Sequence, residues 1–164
     1  MKKFELTSEF VTFLGKKLFR IKALVSFGDV KEGELGGLVE KEENLDQSGN
    51  AWVYGNARIS GDARVSGDAQ VSGNAWVSGD AWVSGDARVQ NCRDYSATSC
   101  FGSENRTTTF FRTKDGGISV RCGCFYGTLN EFREKVKERH GDSRLAKEYL
   151  MLADLMEFRL SKDE

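Results

Sequence analysis

Proline is absent from this chain of 164 residues, and histidine occurs once. The first absence is unusual for a chain so rich in turns, and leaves those turns to its 18 glycines and to Asn and Asp. An excess of charge of either sign is also missing: 24 basic against 25 acidic residues give a net charge of −1. That balance, with no charged tail, excludes a general nucleic-acid or membrane binder. No stretch approaches the roughly 18 apolar residues of a membrane span. The opening MKKFELTSEFVTFLGKK has lysines but no apolar run of signal-peptide length. A soluble cytoplasmic protein of one or two small domains is expected, its four cysteines as thiols and not as a disulfide framework. No phosphate-binding loop, dinucleotide fingerprint or catalytic triad is legible, and no cofactor is expected.

What is there is repetition. Seven hexads run without a gap: GNAWVY, GNARIS, GDARVS, GDAQVS, GNAWVS, GDAWVS and GDARVQ, from Gly49 to Gln90. Ala-x-Val reads as a very short strand, with Ala and Val on one face and the variable residue on the other. Ser-Gly-Asp reads as a turn, because Gly and, to a lesser degree, Asn and Asp accept positive φ. Strands of three joined by turns of three cannot form hairpins. They can wind into a coil in which each strand pairs with its equivalent one coil above and below. The inward Ala and Val columns would then fill a narrow prism.

The Val-Ser-Gly-Asp-Ala-x pattern resembles the hexapeptide repeat of left-handed parallel β-helices, which implies three hexads per triangular coil. GLVEKE (37–42) and ENLDQS (43–48) keep the hexad length without its residues and are expected as a degenerate terminal repeat. The fold class expected is mainly β: a short left-handed β-helix over 37–91, a β-rich lead-in over 1–36, and an α+β cap over 92–164.

With three hexads per coil, residues 18 apart stack. The variable column reads Trp52, Arg58, Arg64, Gln70, Trp76, Trp82 and Arg88. Arg58 should lie against Trp76, Arg64 against Trp82, and Trp52 against Gln70 and then Arg88. All three tryptophans of the chain fall in this outward column. Exposed Trp and Arg mark contact surfaces, while an Arg over each Trp would equally form an intramolecular cation–π pair. Hexapeptide β-helices commonly associate as trimers, so the resemblance favours a homo-oligomer whose interface is Trp52, Arg58, Arg64, Trp76, Trp82 and Arg88.

In the C-terminal third, Thr107–Thr113 and Ile118–Phe125 read as two strands joined by Lys-Asp-Gly-Gly, a hairpin signal. Thr128 with Glu131 makes a capping box. Leu129, Phe132 and Val136 then share a helical face, and His140-Gly141 ends the helix. Asp142 or Ser143 starts a second helix, with Leu145, Tyr149, Leu152 and Met156 inward. A ββαα cap is expected.

Residues 4–90 resemble hexapeptide-repeat proteins of phages, prophages and enterobacteria, some of which are described as acyltransferases. The cap, from Gly102-Ser103 and Asn105 through Cys122-Gly-Cys124 to His140-Gly-Asp142, resembles a C-terminal unit of phage proteins. The acyltransferase label implies a catalytic His in or beside the coils. The only His of this chain is His140, at a helix C-terminus where the dipole favours it. No enzymatic activity is therefore expected. Cys92, Cys100, Cys122 and Cys124 have spacings that fit structural zinc poorly, and Cys122 and Cys124 on one strand would share a face as buried thiols.

One constellation suits a ligand. Arg106, Arg112, Lys114 and Arg121 lie on or near the hairpin among the hydroxyls of Thr107, Thr108 and Thr109; Tyr126 and His140 complete the expected ligand-binding set, and Tyr95 and Phe101 are close in sequence. Arginines fork onto phosphates, hydroxyls donate, and rings stack on bases; cross-strand pairs on a solvated face would explain the same residues. The expectation is a non-enzymatic oligomer that binds a small phosphorylated nucleotide. The phage resemblance implies a counter-defence role, in the host cytoplasm, as a sponge for a nucleotide immune signal. The alternatives are an inhibitor that grips a host defence protein and, last, an acyltransferase.

Overall fold

The computed structural model describes residues 1–101 and 106–161, without the side chains of Cys100 and Phe101. It opens with an antiparallel hairpin, β1 (Phe4–Phe13) and β2 (Lys16–Ala23). Then comes β3 (Leu35–Val39), antiparallel to β2 and parallel to the first strand stack of the repeats.

The repeats form seven two-residue strands: β4 (Trp52–Val53), β5 (Arg58–Ile59), β6 (Arg64–Val65), β7 (Gln70–Val71), β8 (Trp76–Val77), β9 (Trp82–Val83) and β10 (Arg88–Val89). They pair in parallel 18 residues apart, in three stacks: β5-β8, which β3 extends, β6-β9 and β4-β7-β10. Backbone bonds join the coils, among them Arg58 N–H to Ala75 O at 3.0 Å and Gln70 N–H to Ala87 O at 2.9 Å. Every Ala and Val or Ile of the two inward columns is buried. The chain is thus a three-faced β-solenoid with a core of small side chains.

The first coil departs from the expected frame. Val39 pairs with Ile59 and Leu45 bridges Val65, each 20 residues on, whereas Val53 pairs with Val71 at 18. The degenerate strands therefore sit two residues earlier than the expected hexads. Gly37 lies in the inward column, where a Cβ would stand 2.8 Å from Ala57 O. The two extra residues fall in the turn 46–50, which closes around Lys3. The Lys3 ammonium donates to the carbonyls of Ala51, at 2.8 Å, and Gly49, at 3.4 Å, and its backbone N–H donates to Gln47 Oε1 at 2.7 Å.

Burial pushes the Lys3 ammonium down to about 8 from 10.5. The folded chain then releases this proton at lower pH than the unfolded chain. Stability from this source should be flat below about pH 8 and rise from there to 10.5, by on the order of 1–3 kcal/mol. Urea midpoints at about pH 7.5 and about pH 9.5 test it. A rise in the wild type that Lys3→Met abolishes is expected; equal slopes would mean that the carbonyls keep the ammonium charged.

After the solenoid, β11 (Tyr95–Phe101), β12 (Arg106–Arg112), β13 (Ile118–Cys122) and β14 (Phe125–Thr128) form one antiparallel sheet in sequence order. The hairpin at Lys114–Gly117 forms as expected: Thr113 N–H donates to Gly117 O at 3.0 Å. The strand expected over Ile118–Phe125 is instead two strands, folded back at Gly123-Cys124, and β11 was not foreseen. Helices α1 (Leu129–His140) and α2 (Arg144–Leu160) follow, N-capped by Thr128 and Ser143. Of the residues expected inward on α2, Tyr149, Leu152 and Met156 are buried; Ala146 is too, while Leu145 is only half-buried.

Alternation along β12 sends Phe111 into the solenoid core and Phe110 into the core beneath the helices. The sheet thus closes the last coil. Lys114 N–H donates to Asp86 O at 2.9 Å, the Tyr95 hydroxyl to Trp76 O, and Trp82 N–H to Thr109 Oγ1 at 3.0 Å. Among the described residues, no helix is long and apolar enough to cross a membrane.

Candidate functional site

The outward column stacks as its spacing predicts, yet it is not a bare surface. Trp52 is wholly buried, with Phe4 and Phe27 edge-on to it at ring-centre distances of 6.3 and 5.3 Å. Its indole N–H has no acceptor among the described residues. Trp76 is half-buried: Phe13 from the hairpin stands edge-on at 4.8 Å, and its N–H donates to Ser60 Oγ at 2.8 Å. Arg58 lies not on Trp76 but over Phe13, at 4.2 Å. Trp82 donates to Ser66 Oγ at 2.8 Å and is held between two arginines, Arg121 at 3.7 Å and Arg64 at 5.7 Å. Arg88 donates to the carbonyls of Asp68 and Ala87. The hairpin covers one face, Phe4 and Phe27 part of another. Arg64 and Trp82 look onto an open groove of about 440 Å³, rimmed by Glu42, Glu43 and Asp46. The column expected as one interface is thus mostly used inside the molecule.

The expected ligand cluster is likewise dispersed, because the sheet has two faces and both are covered. Thr108 is buried on the helix side, where its hydroxyl donates to Cys122 Sγ at 3.2 Å. Thr109 is buried on the solenoid side as the acceptor for Trp82. Thr107 shares a hydrogen bond with Ser99 at 3.1 Å. Arg112 anchors the end of α2: its Nε donates to Leu160 O at 2.7 Å, and it pairs with the buried carboxylate of Asp94 at 3.2 Å. Arg121 is committed to Trp82. Lys114 looks instead onto a shallow groove with Asp68, Asp86 and Arg88. Tyr126 stacks on Phe111 with ring centres 6.4 Å apart and packs on Gly85.

Two of the named residues do meet. Arg106, at the start of β12, and His140, the last residue of α1, line a cavity of about 90 Å³ between the sheet and the helices. Lys135 and Arg139 join them from α1, and Cys122, Phe125, Phe132, Val136 and Tyr149 form the floor and walls. Among the described residues, no carboxylate lines it. The local reason is helical periodicity: Phe132 and Val136 turn inward, and Lys135 and Arg139, one turn apart, run beside them to the rim. The cations of the last turn also sit where the helix dipole favours positive charge. The His140 ring lies nearly parallel to the Tyr149 ring, 5.9 Å away. Burial, and then the neighbouring Cys122, push the Tyr149 phenol up, so it stays a neutral hydrogen-bond donor across the neutral range. The cavity can take an anion with a flat or apolar neighbour.

Sequence reasoning missed Lys135 and Arg139. The signal was present as two cations four apart, Lys135 beside the inward Val136 and Arg139 one turn on, ending at the single His. The thiols are placed differently from expectation: Cys122 lies in β13 and Cys124 in an exposed turn, so they do not share a strand face. Cys92 is exposed. Among the described residues, no group of three or more His, Cys, Asp or Glu could hold a metal. The side chains of Cys100 and Phe101, and Gly102, Ser103 and Asn105 of the phage-like motif, lie outside the described residues.

No curated protein matches the chain. A family model described as YdcK Beta solenoid repeat matches residues 57–71 and 69–85. This is the stretch whose strands stack at 18-residue intervals, and sequence match and geometry agree that the chain is a β-solenoid repeat protein.

Proposed function

We propose that the protein is a non-enzymatic binding protein that captures the phosphoryl end of a small nucleotide in the cavity under α1, and that it works as a homo-oligomer. The observation that carries this reading is the convergence of Arg106, Lys135, Arg139 and His140 on one recess. Guanidinium and ammonium donors hold phosphoryl oxygens with charge-assisted bonds. A cavity of about 90 Å³ takes a phosphoryl group and not a whole nucleotide, so the base would lie at the rim. The solenoid, with the left-handed winding that the hexapeptide resemblance implies, serves as the rigid mount. From the phage resemblance the role is sequestration of a nucleotide immune signal in the host cytoplasm.

The test is native mass spectrometry of the protein purified from bacteria, followed by denaturation and analysis of what is released. A nucleotide-sized excess over a multiple of 18.3 kDa is expected. Removing one charge-assisted contact should weaken rebinding roughly tenfold to a hundredfold in Arg106→Ala and in Arg139→Ala. A wild type that carries no small molecule, and shows no calorimetric binding of ATP or of a cyclic dinucleotide, would sink the reading.

A further inference from the structure

Three large apolar side chains stand in solvent on one side of α2. Met151, Leu155 and Phe158 are 70%, 56% and 83% exposed. Their spacing, four and then three, is that of a coiled-coil seam. The same helix already buries an inward stripe that includes Tyr149, Leu152, Met156 and Leu160. The outward stripe is therefore surplus to the packing of one chain, and it is continuous along about two turns.

We propose that α2 pairs in parallel with α2 of a second copy through Met151, Leu155 and Phe158. Charge selects both the partner and the direction. With Leu155 and Phe158 as the a and d positions of the seam, Asp154 holds the flanking g position and Arg159 the flanking e position. They are five residues apart, the interval at which g of one helix meets e of a parallel partner. Each copy carries both signs, so a two-fold axis makes the pair twice. An antiparallel arrangement would set g against g and e against e, and so like charge against like. Arg159 makes no ion pair among the described residues and is open to a partner. Asp154 is held at 2.8 Å by Arg133 of α1, which fixes it beside the seam.

The proposal rests on the homo-oligomer of the preceding subsection and gives it a surface other than the tryptophan column. It does not depend on the cavity. A seam of three side chains is at the small end of interfaces, so association should be concentration-dependent in the micromolar range.

Sedimentation velocity of the full chain across a broad concentration series tests it. The mass is expected to rise from 18.3 kDa towards twice that value. Leu155→Glu and Phe158→Ser, both at exposed positions, should remain monomeric, with unchanged circular dichroism showing that the fold is intact. Arg159→Asp should weaken pairing roughly tenfold, and adding Asp154→Lys to it should restore most of the loss. A wild type that stays monomeric throughout overturns the proposal and the oligomer together. An oligomer that survives both Leu155→Glu and Phe158→Ser overturns this surface alone, as does a charge swap that fails to restore pairing. Nucleotide release from the same monomeric variants, read by mass spectrometry, reports on the cavity separately.

Discussion

Trp52→Ala is expected to cost about 3–5 kcal/mol of stability, and Trp76→Ala or Trp82→Ala only about 1–2 kcal/mol each. The three occupy the same column of the same repeat and would be interchangeable if the repeat alone decided. They differ in what lies over them. Trp52 is sealed under Phe4 and Phe27, so its removal leaves a cavity in the main core that the narrow prism beneath cannot fill. Trp76 and Trp82 keep part of their rings in solvent and lose chiefly an edge contact or an arginine, with one indole hydrogen bond. Trp52→Phe should cost clearly less than Trp52→Ala, because it keeps most of the volume and removes an indole donor that has no acceptor among the described residues. Urea denaturation of the four variants decides the matter. Equal costs for the three alanine variants would mean that the segments carrying Phe4 and Phe27 do not seal the first coil.

The second large effect concerns the turn glycines, and it separates two penalties that the sequence merges. Gly67 and Gly79 both have φ of +66°. At Gly79 an added Cβ meets nothing within 4 Å; at Gly67 it would stand 2.8 Å from the backbone N of Gly85 in the next coil. Gly79→Ala therefore isolates the cost of left-handed backbone, about 1–2 kcal/mol. Gly67→Ala adds an overlap with backbone that no side-chain rotation can relieve, for a further cost of about 1–3 kcal/mol. The difference between the two midpoints measures how firmly one coil is held on the next. If the two variants unfolded together, the coils would be shown to part easily enough to admit a methyl group.

These cases mark where the sequence was legible. The clean hexads could be read because their information is local: each Gly-Asn/Asp-Ala-x-Val unit specifies its own turn and its own inward pair, and the stacking interval follows from three units per coil. The first coil was not legible in the same way. Its frame is set by Lys3 and Gln47 closing a longer turn, and by Gly37 standing in for alanine, contacts that span from 20 to more than 40 residues. The burial of Trp52 has the same origin, since Phe4 lies 48 positions away. In the cap, the helix start at Thr128 was plain from its side chain and the second was narrowed to Asp142 or Ser143, whereas β11 alternates only Tyr95 and Ala97 with small hydroxyl residues, too short and polar a pattern to announce a strand. Of the site, Arg106 and His140 were named, but from a hairpin cluster that the sheet splits between two covered faces. Arg112 and Arg121 read as ligand-binding residues because a half-buried arginine with a structural partner looks, in one dimension, like an arginine waiting for one.

The uniform stacking also fixes how the ends relate. The Lys3 turn and the helical cap are joined by an odometer with two readings. Adding a full set of three hexads would move the cap about 4.8 Å further along the axis and leave its heading unchanged. Adding a single hexad would advance it by a third of that distance and swing it round to the next face. Distance and bearing between the two ends are thus written in the same six-residue unit, and only additions in threes change one without the other.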